Sequence, residues 1–161
     1  MKILLYVVND PKYFLSHRLP IALAAQSAGY EVQVASIDSD VGEVLERYGF
    51  TYHTIPLKRG GVNPFFEAYS VVKLWLLFRQ VRPHIVHLVT VKPVLYGCMA
   101  AKLTSIKGVV AAIAGLGSGF QSGQVNSPLK KVLEFLYRFS LSSNNIKVIF
   151  QNPDDLSVIK K

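Results

Sequence analysis

Cysteine is nearly absent from this sequence: there is one, Cys98, inside an apolar stretch. A disulfide within the chain is therefore excluded, which fits a reducing cytosol, and Cys98 reads as a small core residue rather than a nucleophile. Acidic residues are scarce too, 10 against 18 lysines and arginines, which leaves a net charge of +8. Such a field attracts anions, whether nucleic acid, anionic headgroups or phosphorylated substrates, and charge alone does not choose among them. Charged residues make up only 17% of the chain and hydrophobic ones 50%, a balance that excludes disorder because ample apolar surface is available to offset chain entropy. Long apolar runs are missing. Ile3 to Val8 is too short for a secretory segment and no small-residue cleavage site follows it. No stretch reaches the roughly 18 residues of a membrane-spanning helix. The nearest candidates are broken by Glu67, Lys73 and Arg79, or by Lys92 and Pro93.

What remains is an alternation of short β-branched runs with segments of helical period. Strands are expected at Ile3 to Val8, Glu31 to Ser36, Thr51 to Ile55, His84 to Val89, Val109 to Ala114 and Lys147 to Phe150. Helices are expected over Arg18 to Ala28, stopped by Gly29, and over Val41 to Tyr48, stopped by Gly49. Pro64 opens a long helix to about Val81, ended by Pro83. Val94 to Ser105 is rich in small residues, and Asn126 or Ser127 with Pro128 caps a helix to about Ser142. A last helix starts at Pro153 and runs to the final residue, an ending that suggests truncation. Uninterrupted apolar strands alternating with helices specify a parallel sheet covered on both faces. Right-handed crossovers then make it a doubly wound, Rossmann-like α/β fold, one domain over residues 1–161.

Ligands of such sheets bind beyond the carboxyl ends of the strands. Asn9 to Arg18 reads as a loop after the first strand that ends in Ser16, His17 and Arg18 at a helix N-terminus. Exposed amides and the helix dipole favour an anion there, and Arg18 adds a bidentate fork; the plainer reading makes Ser16 an N-cap and His17 and Arg18 solvated decoration. After the fourth strand comes Thr90-Val91-Lys92-Pro93, with a lysine placed to meet a phosphate unless it merely snorkels. His87, which alternates with buried positions, reads as a core or edge histidine with its hydrogen bonds satisfied. After the fifth strand, Gly115, Leu116 and Gly117 let backbone amides approach a ligand. The first loop lacks G-x-G-x-x-G and no loop has a Walker ending, so a nucleotide-cofactor oxidoreductase loses its main support. No His, Cys, Asp and Glu set has metal-ligand spacing, and neither a metal nor a cofactor is expected.

Taken in order, these segments resemble the N-terminal domain of family 4 glycosyltransferases of the GT-B fold, above all the bacterial enzymes that extend lipid-linked sugars in capsule, O-antigen and exopolysaccharide assembly. The residues that carry the resemblance are Ser16-His17-Arg18-Leu19-Pro20 with Ala22 and Leu23, Gly29-Tyr30-Glu31-Val32, and Asn63-Pro64. Further on come Arg82-Pro83-His84-Ile85-Val86-His87, Thr90 to Gly97, Gly115-Leu116-Gly117 and Phe150-Gln151-Asn152. The resemblance implies half of a two-domain enzyme, with a donor-binding domain for a nucleotide sugar beyond residue 161, so that this chain alone is inactive. It implies hexosyl or N-acetylhexosaminyl transfer with retention at the anomeric carbon and without a divalent metal. Carried over, Ser16, His17 and Arg18 would face the donor phosphates or the acceptor, Thr90 and Lys92 would contact the acceptor, and Gly115, Leu116 and Gly117 would line the reaction centre. Two departures stand out: the first loop has no glycine pair, and Ala114 stands where many relatives have a polar residue.

Basic and aromatic residues also cluster in Lys58 to Arg82 and in Lys130 to Phe139. A helix of that kind can lie on an anionic bilayer, which suits a cytoplasmic enzyme whose acceptor is anchored in the inner leaflet. The alternative is aromatics in the core and cations on a solvated face. Nucleic acid is not expected, because no recognition motif or stacking platform is present. A rival to the enzyme half is a non-catalytic basic module, or a separate subunit, that binds an anionic lipid or a donor-domain chain.

Overall fold

The computed structural model describes residues 1–57, 63–113 and 128–150. Along them run β1 (Lys2–Val8), α1 (Pro11–His17), α2 (Leu19–Ser27), β2 (Tyr30–Ser36), α3 (Val41–Arg47) and β3 (Thr51–Thr54). There follow α4 (Pro64–Val81), β4 (Ile85–Val89), α5 (Val91–Lys102), β5 (Gly108–Ile113), α6 (Pro128–Leu141) and β6 (Ile146–Phe150). The strands form one sheet in the order β3-β2-β1-β4-β5-β6, every neighbouring pair parallel. This is the doubly wound α/β fold that the pattern of strands and helices specifies. The direction of winding reverses between β1 and β4, so the crevice beyond their carboxyl ends is where such a sheet takes ligands.

Period-two alternation sends the side chains of each strand to two cores. Leu4, Tyr6 and Val8 join Val32, Val34, Phe14, Ala22, Leu45 and Phe50 on the face covered by α1, α2 and α3. Leu5 and Val7 join Val86, Leu88, Leu74, Phe78, Val94 and Cys98 on the face covered by α4, α5 and α6. Burial on both sides is why β1 and β4 read as continuous apolar runs. Gly97 lets α5 lie directly on β4: a Cβ there would stand 2.4 Å from the Leu88 side chain.

On the face covered by α1, α2 and α3, burial falls off at the edge strand β6. Register rows run Tyr6–His87–Val110–Lys147 and Val8–Val89–Ala112–Ile149 across the sheet. At the far end of these rows Lys147 and Ile149 are exposed. Further in, His87, Val89 and Ala112 are buried and Val110 is half-buried.

Several boundaries differ from the sequence expectation. The stretch expected to be a loop from Asn9 to Arg18 contains α1, because Asp10 caps it, its carboxylate accepting from the amides of Lys12 and Tyr13, and Pro11 opens it. α5 begins at Val91, ahead of Pro93, and ends at Lys102. The proline stands in the first turn, where it forfeits no helical hydrogen bond. Gly29, at φ +87°, ends α2 as expected. Pro64 opens α4 behind an Asn63 side chain that accepts from the Phe65 amide. The segments at 115–126 and 153–161 lie outside the described residues.

Candidate functional site

The carboxyl ends of β1 and β4 are tied together by side chains. Asn9 follows β1 directly and is almost fully buried; Thr90 follows β4 directly. The Thr90 hydroxyl donates to Asn9 Oδ1 at 2.7 Å. Thr90 also has φ +76° and ψ 170°, a region that is essentially reserved for glycine and costs a branched residue about 1–3 kcal/mol. With its hydroxyl turned to Asn9, Thr90 makes no side-chain cap on α5. The positive end of that helix is therefore presented at the winding reversal, with Lys92 in its first turn.

Lys92 is not a solvated surface cation. Its Nζ lies 2.6 Å from Glu67 Oε1 of α4, and both side chains are about five-sixths buried, at 16% and 17% exposure. The same carboxylate holds Tyr96, one turn further along α5. Burial, together with the hydrogen bond and charge of Glu67, pushes the Tyr96 phenol well above its ordinary value. Lys92, Glu67 and Tyr96 thus lock α4 to α5 just below the candidate crevice.

Of Ser16, His17 and Arg18, expected together at a helix N-terminus, only Arg18 stands there, as the N-cap position of α2. Ser16 and His17 close the C-terminal turn of α1 and are exposed. The Ser16 hydroxyl lies against the Lys12 and Tyr13 carbonyls and 2.7 Å from His17 Nδ1, while the His17 ring stacks on Tyr13 at 4.2 Å. Ser16 is therefore not an N-cap; that role belongs to Asp10. Arg18, the junction of α1 and α2, turns inward and is only 8% exposed. Gly115, Leu116 and Gly117, with Ala114 before them, lie outside the described residues.

The charge of Arg18 acts on two buried residues, His87 and Tyr6. The His87 ring stacks on Tyr6 at 4.9 Å, and Tyr6 packs edge-on to Phe14 at 5.2 Å. Burial, reinforced by the Arg18 charge, holds the His87 imidazole down to about 4, so it is neutral at ordinary pH. Burial pushes the Tyr6 phenol up to about 12, with Arg18 acting the other way. His87 is buried as expected, but it is not satisfied: its Nε2, the Tyr6 hydroxyl and Arg18 Nε and Nη2 have no hydrogen-bond partner among the described residues. The sequence signal was there in part, since Tyr6 and His87 interrupt two apolar strands; the pairing that puts them side by side was not visible.

Other features fall away from this crevice. Cys98 is fully buried and its thiol is pushed up to about 12 by burial, so it is inert. A cavity of about 490 Å³ lined by Trp75, Arg79, Arg82 and Ser105 sits at the amino ends of β4 and β5, where α4 and α5 end. It therefore lies at the end of the sheet opposite to the strand ends where such folds take ligands.

The sequence from residue 2 to residue 152 matches the family described as Glycosyl transferase 4-like, and the chain belongs to that family. No curated protein matches it. Among solved structures, it superposes on sucrose-phosphate synthase from Thermosynechococcus elongatus with a TM-score of 0.67 at 10% identity, over 99% of this chain and 45% of that one. MurG from Acinetobacter baumannii matches with a TM-score of 0.58 at 15% identity, over 84% of this chain and 39% of that one. The glycosyltransferase SsfS6 of Streptomyces sp. SF2575, complexed with thymidine diphosphate, matches with a TM-score of 0.56 at 15% identity, over 88% and 45%. The described sheet is thus the Rossmann-like half of a GT-B architecture, and the chain spans less than half the length of these structures. Among the described residues no helix is long and apolar enough to cross a membrane.

Proposed function

We propose that this chain is the acceptor-binding half of a retaining glycosyltransferase. It acts on a lipid-linked glycan in capsule, O-antigen or exopolysaccharide assembly, and the sugar, a hexosyl or N-acetylhexosaminyl group, comes from a nucleotide sugar. The donor is held by a second Rossmann-like domain, either a further segment or a separate chain. One observation carries the reading: in a chain of the glycosyl transferase 4-like family, a strained Thr90 is held by Asn9 at the winding reversal, in front of an α5 N-terminus that has no side-chain cap. Strain of this size persists where the surrounding structure needs the backbone in one place, and such places cluster at ligand sites. In the reaction an acceptor hydroxyl oxygen bonds to the anomeric carbon as the bond from that carbon to the diphosphate oxygen breaks; the hydroxyl proton leaves with the diphosphate. The positive end of α5, with Thr90 and Lys92 at it, contacts the acceptor. Ser16, His17 and Arg18 line the acceptor side, and Gly115, Leu116 and Gly117 supply backbone at the centre.

The membrane part of the reading has its own support. Phe65, Tyr69, Val72 and Leu76 form an exposed stripe along α4, with Phe65 88% exposed, and Lys73 and Arg79 flank it. On α6 Val132, Phe135 and Phe139 are exposed, while Tyr137 turns into the core. These helices cover the same face of the sheet, so one side of the domain can rest on an anionic leaflet. The same stripes favour the second reading, a basic module without catalysis. Calorimetric titration with a lipid-diphosphate sugar and, separately, with a UDP-sugar separates the two. Heat from the acceptor and none from the donor supports the enzyme half. No heat from either, with liposome binding intact, supports the module.

A further inference from the structure

A buried guanidinium without a partner is an expensive thing to keep. Taking a charge out of water costs several kcal/mol after all relaxation, and proteins offset this by pairing or hydrogen bonding the group. Arg18 is 8% exposed, its Nε and Nη2 have no partner, and among the described residues it forms no ion pair. Two groups that feel its charge, His87 and Tyr6, are also buried, and each has an unpartnered polar atom. Two of these three buried side chains are stacked on each other, and the third follows by one turn the Phe14 that packs on Tyr6, so the four unpartnered atoms are a cluster and not scattered defects. All can donate: Arg18 through Nε and Nη2, Tyr6 through its hydroxyl, and His87 through Nε2 in one of its tautomers. A set of donors around one fixed positive charge is what an oxyanion requires.

The row of His87 in the sheet runs toward the edge. From His87 it continues to the half-buried Val110 and the exposed Lys147. Lys147 on that row adds a second cation at the edge.

We propose that Arg18, His87 and Tyr6 form a second, buried oxyanion pocket, separate from the α5 N-terminus, that receives a single carboxylate or phosphodiester group of the acceptor. The charge of the site fixes the charge of the guest. Among the described residues Arg18 is the one cation of the cluster and His87 is neutral, so one negative charge is balanced and a second is not. The identity of the guest as part of the acceptor rests on the sugar-transfer reading; the pocket itself does not.

The test is thermal unfolding of the protein in acetate, dimethyl phosphate and chloride at matched ionic strength, for wild type, Arg18→Met and His87→Phe. Acetate or dimethyl phosphate should raise the wild-type Tm saturably by several degrees above the chloride value, because a ligand bound only by the folded state stabilises it. The anion that acts at lower concentration tells a carboxylate guest from a phosphodiester guest. Arg18→Met should unfold at a higher temperature than wild type in chloride and lose the anion response, since an apolar side chain of similar length removes the unpaired charge. His87→Phe keeps the stack on Tyr6 and should weaken the response several-fold. An anion response no larger in wild type than in chloride overturns the pocket, as does a full response in Arg18→Met. If the anion response holds while neither sugar titration gives heat, the sugar-transfer reading fails and the pocket stands.

Discussion

Thr90 and Asn9, 81 positions apart in sequence, meet at 2.7 Å across the two strands where the sheet reverses its winding. The contact holds Thr90 at φ +76°. Glycine adopts that conformation freely, whereas alanine does not. Thr90→Gly should therefore be more stable than Thr90→Ala by about 1 kcal/mol, although glycine is the more flexible residue in the unfolded chain. Urea denaturation of the two variants measures this directly. The reverse order would show that the backbone at Thr90 is not strained.

Removing Lys92 leaves the Glu67 carboxylate with Tyr96 but without its cation at 2.6 Å. Lys92→Ala should cost on the order of 1–2 kcal/mol without unfolding the domain and, in the complete enzyme, raise the acceptor KM several-fold. A double-mutant cycle with Glu67→Gln should return a coupling of about 1 kcal/mol. An unchanged KM removes Lys92 from the acceptor site while leaving the ion pair as a lock between α4 and α5.

Acid should weaken the fold through His87. Its folded-state value of about 4 lies below the ordinary 6.5, so the unfolded chain binds more protons between those values. Stability is then complete above about pH 6.5, falls as pH drops, and has lost on the order of 3 kcal/mol by pH 4. His53, also lowered by burial, adds in the same direction. His87→Phe should flatten this pH dependence in denaturation curves between pH 4 and 7, and an equally steep curve in the variant would assign it elsewhere.

Gly97 of α5 has no space for a side chain, since a Cβ would stand 2.4 Å from the fully buried Leu88. Gly97→Ala should destabilise by about 1–3 kcal/mol despite the higher helix propensity of alanine. Circular dichroism with thermal melting checks it; a gain in Tm would mean that the α5–β4 contact has slack.

The sheet was legible because strands buried on both faces write themselves as unbroken apolar runs, and because Gly29, Gly49, Pro64 and Pro83 punctuate them. That Thr90 and Lys92 sit just past the carboxyl end of β4 was legible since they fall at the end of such a run. α1 was missed although its signal is local: Asp10-Pro11 is an N-cap followed by a first-turn proline, but the seven-residue helix after it is too short to show a period. Reading it as a loop placed Ser16 at the wrong end of a helix. The inward turn of Arg18 and the action of its charge on Tyr6 and His87 depend on the pairing of β1 with β4, which local sequence does not encode.

The central claim is that the carboxyl edge of β1 and β4 is the acceptor wall. Amide chemical shifts recorded while a short-chain lipid-diphosphate sugar is added test it most directly. The account predicts saturable shifts at Asn9, Arg18, Thr90 and Lys92, with little change at the opposite edge. Shifts confined to Trp75, Arg82 and Ser105, around the cavity at the amino ends of the strands, would contradict it.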